Sequence, residues 1–411
     1  MRRKESAINA RDKLTISEYK MIGDAIELGE GIRLTQTLGV VYSEAFQQYD
    51  FGPNHPLKPT RLKLTFELMK AIGLLSSPNV RVSEPRTANR EDLLLFHDEE
   101  YLKLVKRMSQ SGGGFLDMGD TPAFKRCYEA SALAVGASLS AVDLVMSGEV
   151  TNAMNIAGGL HHAHPDRASG FCIFNDPAVS IAYLKKKYAL ERILYLDVDA
   201  HHGDGVMYGF YSDPSVLDID FHEDGHHLFP GTGYTEEIGK GKATGLKINI
   251  PLLPFIDDDS YLKLFREIVP PAVRKYRPQI LLLQCGADSH ANDLLAHLQL
   301  TTRAYREVAA TVHSLAHEVA NSRLVVFGGG GYNPANVARA WTVVASTLAD
   351  FNPPEIIPHS WQKLFEAFVG EKAPSNIESQ QEARPQLSRD LALKREAEII
   401  EDLKSRIPLL A

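Results

Sequence analysis

The feature that most restricts what this chain can fold into is a segment that changes character abruptly. Arg192-Ile-Leu-Tyr-Leu196 is a bounded apolar run, and Asp197-Val-Asp-Ala-His-His-Gly-Asp-Gly205 follows it directly. Such a run reads as a strand of a parallel sheet covered on both faces. Alternate residues of a strand project to one side, so Asp197, Asp199 and His201 share a side if the extended backbone continues. Two carboxylates and an imidazole at a buried strand tip must be paired or bound to a metal. For this segment alone, a hydrogen-bonded Asp/His turn capping the next helix is the plainer alternative.

Three more segments repeat the pattern. Asn155-Ile-Ala-Gly-Gly-Leu-His161-His162-Ala-His164 runs from an apolar stretch through a glycine turn into histidines. Gln279-Ile-Leu-Leu-Leu-Gln-Cys285 ends in Gly286-Ala287-Asp288-Ser289, and Arg323-Leu-Val-Val-Phe327 ends in Gly328-Gly-Gly-Gly-Tyr332-Asn333. Open α/β sheets bind ligands outside the carboxyl ends of their strands. Strand-like runs at 153–157, 193–198, 216–221, 246–250, 280–284 and 324–327 interleave with helical patterns such as 261–276 and 301–321. Helical spacing also marks 60–72 and 127–146. The alternation predicts an α/β protein: one parallel sheet, in a single domain, with helices on both faces.

Composition narrows the class. The chain has 411 residues, 44% of them hydrophobic and 23% charged, which is ordinary for a globular enzyme. With 52 acidic and 44 basic residues the net charge is −8, and no basic stripe suggests direct contact with nucleic acid. Cys127, Cys172 and Cys285 form no Cys-x-x-Cys, so a reducing compartment is expected and a cysteine-rich structural zinc site is not. The amino terminus has basic residues but no apolar stretch behind them. No stretch is expected to act as a membrane helix of roughly 20 apolar residues. The expectation is therefore a cytoplasmic protein without membrane contact. Residues 1–36 read as a polar extension, 37–350 as the catalytic domain and 351–411 as a helical tail beginning at the Phe351-Asn-Pro-Pro-Glu breaker. Within the tail, the Leu393–Leu403 stretch has amphipathic spacing. It suits packing back on the core, a subunit interface or a solvated helix, and the oligomeric state stays open.

Taken in order, these motifs resemble the zinc-dependent histone deacetylase family. The resemblance is nearest to its class I and bacterial acetoin-utilisation types, within the arginase/deacetylase fold. It spans about Gly39 to Ala349 and rests on Gly52-Pro-Asn-His-Pro-Leu-Lys-Pro-Thr-Arg61, Gly158-Gly-Leu-His-His162, Ser169-Gly-Phe-Cys172, Asp197-Val-Asp-Ala-His-His-Gly-Asp204, Phe229-Pro-Gly-Thr-Gly233, Gln284-Cys-Gly-Ala-Asp288 and Gly328-Gly-Gly-Gly-Tyr-Asn333.

Asp199, His201 and Asp288 are the candidate metal ligands. Two carboxylates and one imidazole suit a borderline divalent ion, zinc first and ferrous iron as an alternative. Three protein ligands leave room for water and substrate, as catalytic sites require. The resemblance assigns the same three. It also implies that Asp197 supports His161 and Asp204 supports His162, with His162 the principal general base and then acid. An aspartate on the far ring nitrogen fixes the tautomer and stabilises the imidazolium. Tyr332 reads as an oxyanion donor. The glycines before it do not make a dinucleotide loop, because Asn333 stands where Gly-x-Gly-x-x-Gly needs its third glycine.

By resemblance, Gly170, Phe171 and Phe229 line a narrow substrate channel, Asp120 is a rim aspartate holding the substrate backbone, and Leu295 lies at the mouth. The resemblance also implies a structural K+ held by backbone carbonyls of Asp197, Asp199 and His201. One departure stands out. Many members read Gly-Asp-Pro-Leu where this chain reads Asn292-Asp293-Leu294-Leu295, which changes the preferred backbone of a mouth loop. The reading is a zinc-dependent amidohydrolase acting on acetyl-lysine, or a related short acyl-lysine, of a protein or peptide. Its rivals are a small-molecule deacetylase such as an acetylpolyamine amidohydrolase and, from another class, an inactive acyl-lysine-binding module. A manganese ureohydrolase is a weaker rival, because two metals need more carboxylates than these motifs offer.

Overall fold

The computed structural model describes residues 38–380 and 386–411. The extension expected over 1–36 lies outside them. Eight strands form one sheet: β1 Leu38–Val41, β2 Val80–Ser83, β3 Asn152–Asn155, β4 Ile193–Asp197, β5 Val216–Glu223, β6 Lys247–Leu252, β7 Ile280–Gln284 and β8 Leu324–Phe327. Their order is β2-β1-β3-β8-β7-β4-β5-β6, and every pairing is parallel. The predicted parallel α/β sheet is therefore present, extended on one side by β1 and β2. The sequence pattern missed these two. β1 has only four residues, and β2, on the sheet edge, exposes Arg81 and Val82, so neither shows a long apolar run.

The sheet order explains why four distant segments meet. β3, β8, β7 and β4 are consecutive neighbours, although β4 follows β3 in the chain. Their carboxyl ends are also level. Asn155, Phe327, Gln284, Asp197 and Asp220 are successive cross-strand partners in one row. The sheet grows one way from β3 to β6 and reverses after β6, so that β7 and β8 fill the gap between β4 and β3, and a crevice forms where the direction of growth switches.

Helices cover the sheet. The 20-residue helix Cys127–Met146 is apolar and long enough to cross a membrane by composition, contrary to the sequence expectation, because its many alanines add to its leucines and valines. It is a core helix: 72% of its most apolar window is buried within the protein. Helix His359–Val369 packs on helix Thr60–Ala71, where Trp361 donates its indole N–H to the Leu64 carbonyl at 2.8 Å. The last helix, Gln386–Arg406, packs back on the protein, with Ile399, Leu403 and Ile407 joining the main core.

Candidate active site

The site grows from the four level strand tips. Two residues beyond β4, Asp199 is fully buried. Its Oδ2 accepts from Gln284 Nε2 and from the Gly330 backbone, each at 2.8 Å, which leaves Oδ1 toward His201. Beyond β7, Asp288 Oδ1 accepts from the Ala200 backbone at 2.9 Å, which leaves Oδ2. His201 Nδ1 stands 3.2 Å from Asp199 Oδ1 and 3.0 Å from Asp288 Oδ2. Although Asp199 Oδ1 also accepts the His201 backbone N–H at 3.0 Å, the three side chains converge, and their ligand atoms lie within 4.8 Å of one another.

This donor set fits a divalent ion. Both carboxylates are already oriented by hydrogen bonds on their outer oxygens, as ligating carboxylates are. The chain also keeps the space clear: a Cβ on Gly330 would collide with the Asp288 carboxylate, and one on Gly286 with that of Asp199. Without such an ion the group is electrostatically awkward. Burial and the Asp199 charge push the Asp288 carboxyl up to about 7. Burial pulls His201 down, but Asp199 and Asp288 outweigh it and hold the imidazole at about 10.

His161 and His162 lie on the tip of β3. His161 Nδ1 is 2.7 Å from Asp197 Oδ2, and His162 Nδ1 is 2.7 Å from Asp204 Oδ1. Their Nε2 atoms are 3.1 Å apart. The two rings are driven in opposite directions. Burial lowers the His161 pKa, but Asp197 and Asp199 overcome it and lift it to about 9. Burial and the neighbouring His161 lower that of His162 to about 4, against the pull of Asp204. One imidazole is thus favoured as a cation and its neighbour as a neutral base.

Tyr332 completes the inner wall. Its backbone N–H is held by Asp293 Oδ2 at 2.8 Å, and its ring centroid lies 6.4 Å from that of His201 and 5.9 Å from that of Phe171. Burial and the nearby Asp288 and Asp199 raise its pKa, so the phenol keeps its proton and remains a donor. A cavity lined by His161, His162, Gly170, Phe171, Asp199 and Tyr332, among others, joins these groups. Phe229 packs on His162 with ring centroids 5.1 Å apart. Gly170 is constrained twice: its φ is +52°, and a Cβ there would strike the His162 ring. The Phe171 backbone is pinned from both sides, its N–H by Thr121 Oγ1 at 3.0 Å and its carbonyl by the Tyr49 hydroxyl at 2.8 Å.

At the rim, the Asp120 carbonyl accepts from His55 at 3.3 Å, and the His55 ring stacks edge-on against Phe171. Burial, then the hydrogen bond and charge of Asp117, lift the Asp120 carboxyl to about 6. Leu295 packs in the cluster that contains Tyr332 and Phe171, and Leu294 is exposed. Asn292 has φ 65°. Asparagine therefore supplies the left-handed backbone that glycine supplies elsewhere, and Leu294 takes the place of proline without a break in the loop.

All the residues singled out from sequence are thus gathered at one end of the sheet. Sequence reasoning missed four that support them. Gln284 fixes Asp199. The Tyr195 hydroxyl donates to Asp197 Oδ2 at 2.6 Å. His164 shares Asp204, with Nε2 3.2 Å from its Oδ2. The buried Arg61 donates to the carbonyls of Gly329 and Gly331 at 2.8 and 3.0 Å and so shapes the Tyr332 turn. Tyr195 was detectable, since it sits on β4 two residues before Asp197 and therefore on the same side.

A parallel sheet bearing a buried Asp/His/Asp triangle and two His–Asp pairs at its carboxyl edge defines a metal-dependent hydrolase of the arginase/deacetylase fold. The histone deacetylase domain model matches residues 55–348, and the chain belongs to that family. Among its relatives is the acetoin utilization protein AcuC of Bacillus subtilis, 41% identical over 329 residues, which cover 78% of this chain and 84% of the relative. The AcuC of Staphylococcus xylosus is 38% identical over 352 residues, covering 84% and 91%. The family is metal-dependent, and this chain is a deacetylase of the AcuC-like kind.

Proposed function

We propose that the protein hydrolyses the side-chain amide of acetyl-lysine, or of a related short acyl-lysine, in proteins or peptides, with zinc held by Asp199, His201 and Asp288. When bound, the ion supplies Lewis-acid chemistry, polarising a carbonyl and making water more acidic. The observation that carries the reading is the pair of adjacent histidines, each held through Nδ1 by its own aspartate at 2.7 Å, with Nε2 atoms 3.1 Å apart and that of His161 4.0 Å from the metal-ligand candidate Asp199. His162, neutral and oriented by Asp204, takes a proton as water attacks the carbonyl carbon. Tyr332 donates its phenol hydrogen to the oxygen that gains charge. The proton on His162 then passes to the lysine nitrogen as the C–N bond breaks, giving a carboxylic acid and a free amine. Cationic His161, paired with Asp197, stabilises the charge in between.

Channel geometry supports the substrate class. Phe171 and Phe229 offer apolar walls to the lysine methylenes, and Asp120 at the rim offers an acceptor for peptide N–H groups. The three cysteines are free and buried, in keeping with a reducing cytoplasm. An acetylpolyamine is the second reading, but Leu295 gives no charge at the mouth for a distal ammonium. The test is turnover by the zinc-loaded protein of an acetyl-lysine peptide, an acetylpolyamine and longer acyl-lysines. The peptide should win over the acetylpolyamine in kcat/KM by at least about tenfold, or about 1.4 kcal/mol. A preference for the acetylpolyamine would overturn the substrate assignment, and no turnover of any amide would favour an acyl-lysine-binding module.

A further inference from the structure

At the other end of the sheet, helix Thr302–Val319 carries His313 and His317 one turn apart, with their Nε2 atoms 3.1 Å from each other. We propose that this pair is a second metal site, independent of the candidate active site, for a divalent transition ion of the class that prefers imidazole, such as Ni2+ or Zn2+. Residues four apart lie on one helix face, and a His-x-x-x-His pair presents two nitrogens to one point.

The spacing suits coordination. Two imidazole nitrogens on one ion, with bonds of about 2.0–2.1 Å, stand about 2.9 Å apart at a right angle and about 3.3 Å apart at the tetrahedral angle. The observed 3.1 Å falls between these.

The far nitrogens are also fixed, as those of ligating histidines usually are. Asn152 Nδ2 faces Thr151 Oγ1 at 3.1 Å and the Leu348 carbonyl at 3.5 Å, which turns its Oδ1 toward His313 Nδ1 at 3.0 Å. His313 Nδ1 therefore carries the proton, and its Nε2 is a bare lone pair. Burial and the neighbouring His317 hold the His313 pKa down to about 4, so the ring is neutral at physiological pH. His317 Nδ1 lies 2.7 Å from Ser322 Oγ. That hydroxyl is placed by two successive residues in the left-handed region, Asn321 at φ 52° and Ser322 at φ 60°, and by the Ser322 N–H bonded to the Ala316 carbonyl at 2.9 Å.

A hydroxyl both donates and accepts. Without an ion, Ser322 donates to His317 Nδ1, and His317 Nε2–H donates to His313 Nε2. With an ion, the His317 proton moves to Nδ1 and the Ser322 hydroxyl turns to accept it. Both lone pairs then face the ion, and no proton leaves the pair. His317 is exposed, so water completes the coordination. Two protein donors give a weaker site than three, and the ion exchanges with solution.

The full-length, zinc-loaded protein is dialysed against Ni2+, and both metals are counted. The expected result is one nickel per chain with the catalytic zinc retained, a rise in thermal midpoint with nickel, and loss of both effects in His317→Asn. Ser322→Ala should weaken binding without abolishing it. His317→Asn should leave basal turnover unchanged, since the pair lies outside the candidate active site. No added nickel in the wild type would mean a hydrogen-bonded histidine pair only. An unchanged nickel count in His317→Asn would place the ion elsewhere. Either result overturns the site.

Discussion

His161 and His162 are neighbours with the same side chain, yet their surroundings separate them. The difference comes from the partners: Asp197 and Asp199 act on one ring, whereas burial and a cationic neighbour act on the other. Removing single groups should separate roles in the same way. Tyr332→Phe keeps the ring and deletes one donor, so kcat should fall by about 10²–10³ with bound metal unchanged. Near-normal kcat would leave Tyr332 a packing residue. Asp288→Ala removes one of three donors and should abolish both zinc retention and turnover while the circular dichroism spectrum is kept; full zinc with normal turnover would sink the assignment. Asp120 supplies a pH test. Its carboxyl is raised to about 6, so it gains a proton as the pH falls through that value and loses an acceptor. KM for an acetyl-lysine peptide should then rise below about pH 6 relative to an acetylpolyamine, which has no peptide backbone to hold. Parallel pH profiles for the two substrates would remove Asp120 from peptide recognition.

The loops that leave β7 and β8 decide what enters the channel. Asn292 keeps the left-handed backbone, Asp293 ties its loop to the Tyr332 N–H, and Leu295 then packs beside Tyr332. Leu295→Glu places a carboxylate at the mouth and should narrow the preference for peptide over acetylpolyamine; an unchanged ratio of kcat/KM would put Leu295 away from the distal end of the substrate. At this scale much of the architecture was legible. β4, β7 and β8 are runs of apolar residues that lead into polar clusters, and that break in pattern is itself the signal of a carboxyl-edge site. β1 and β2 were not legible, because β1 is apolar but only four residues long and β2 interrupts its apolar residues with the exposed Arg81. Gln284 and Arg61 escaped for another reason. A buried glutamine or arginine has no periodicity of its own, and its role follows from cross-strand register and from carbonyls that the fold alone brings near. The metal triangle was readable because its three members sit at fixed short distances past strand ends, whereas the ring orientation of His313 and His317 depends on Asn152 and Ser322, far apart in the chain.

Across the whole molecule, the tail is the part whose placement the sequence left open. Amphipathic spacing over the Leu393–Leu403 stretch suits a solvated helix, a subunit contact or packing against the chain's own core. The structure resolves this in favour of packing: helix Gln386–Arg406 lies against helix Asp258–Tyr276 and β6, far in sequence from the catalytic tips. Leu403 is fully buried in the main core, with Ile399 and Ile407 beside it. Charged groups fix the register: Lys263 Nζ reaches the buried Glu396 at 3.1 Å, and Lys275 donates to the Pro408 carbonyl at 2.6 Å. Gly245 approaches Pro408 closely enough that an added Cβ would stand 2.9 Å from its ring. The helix therefore acts as a strap on the fold. Leu403→Ala leaves a cavity under that strap and should lower the free energy of unfolding by about 2–5 kcal/mol, as deletion of a buried leucine does. Because Leu403 packs in the main core and, among the described residues, the strap shows no contact with the metal ligands or the two His–Asp pairs, kcat and zinc content of the folded variant should match the wild type. Chemical denaturation followed beside steady-state kinetics checks both halves. Unchanged stability would mean that the helix is not seated in solution, and a fall in kcat without a fall in stability would mean that the tail reaches the site.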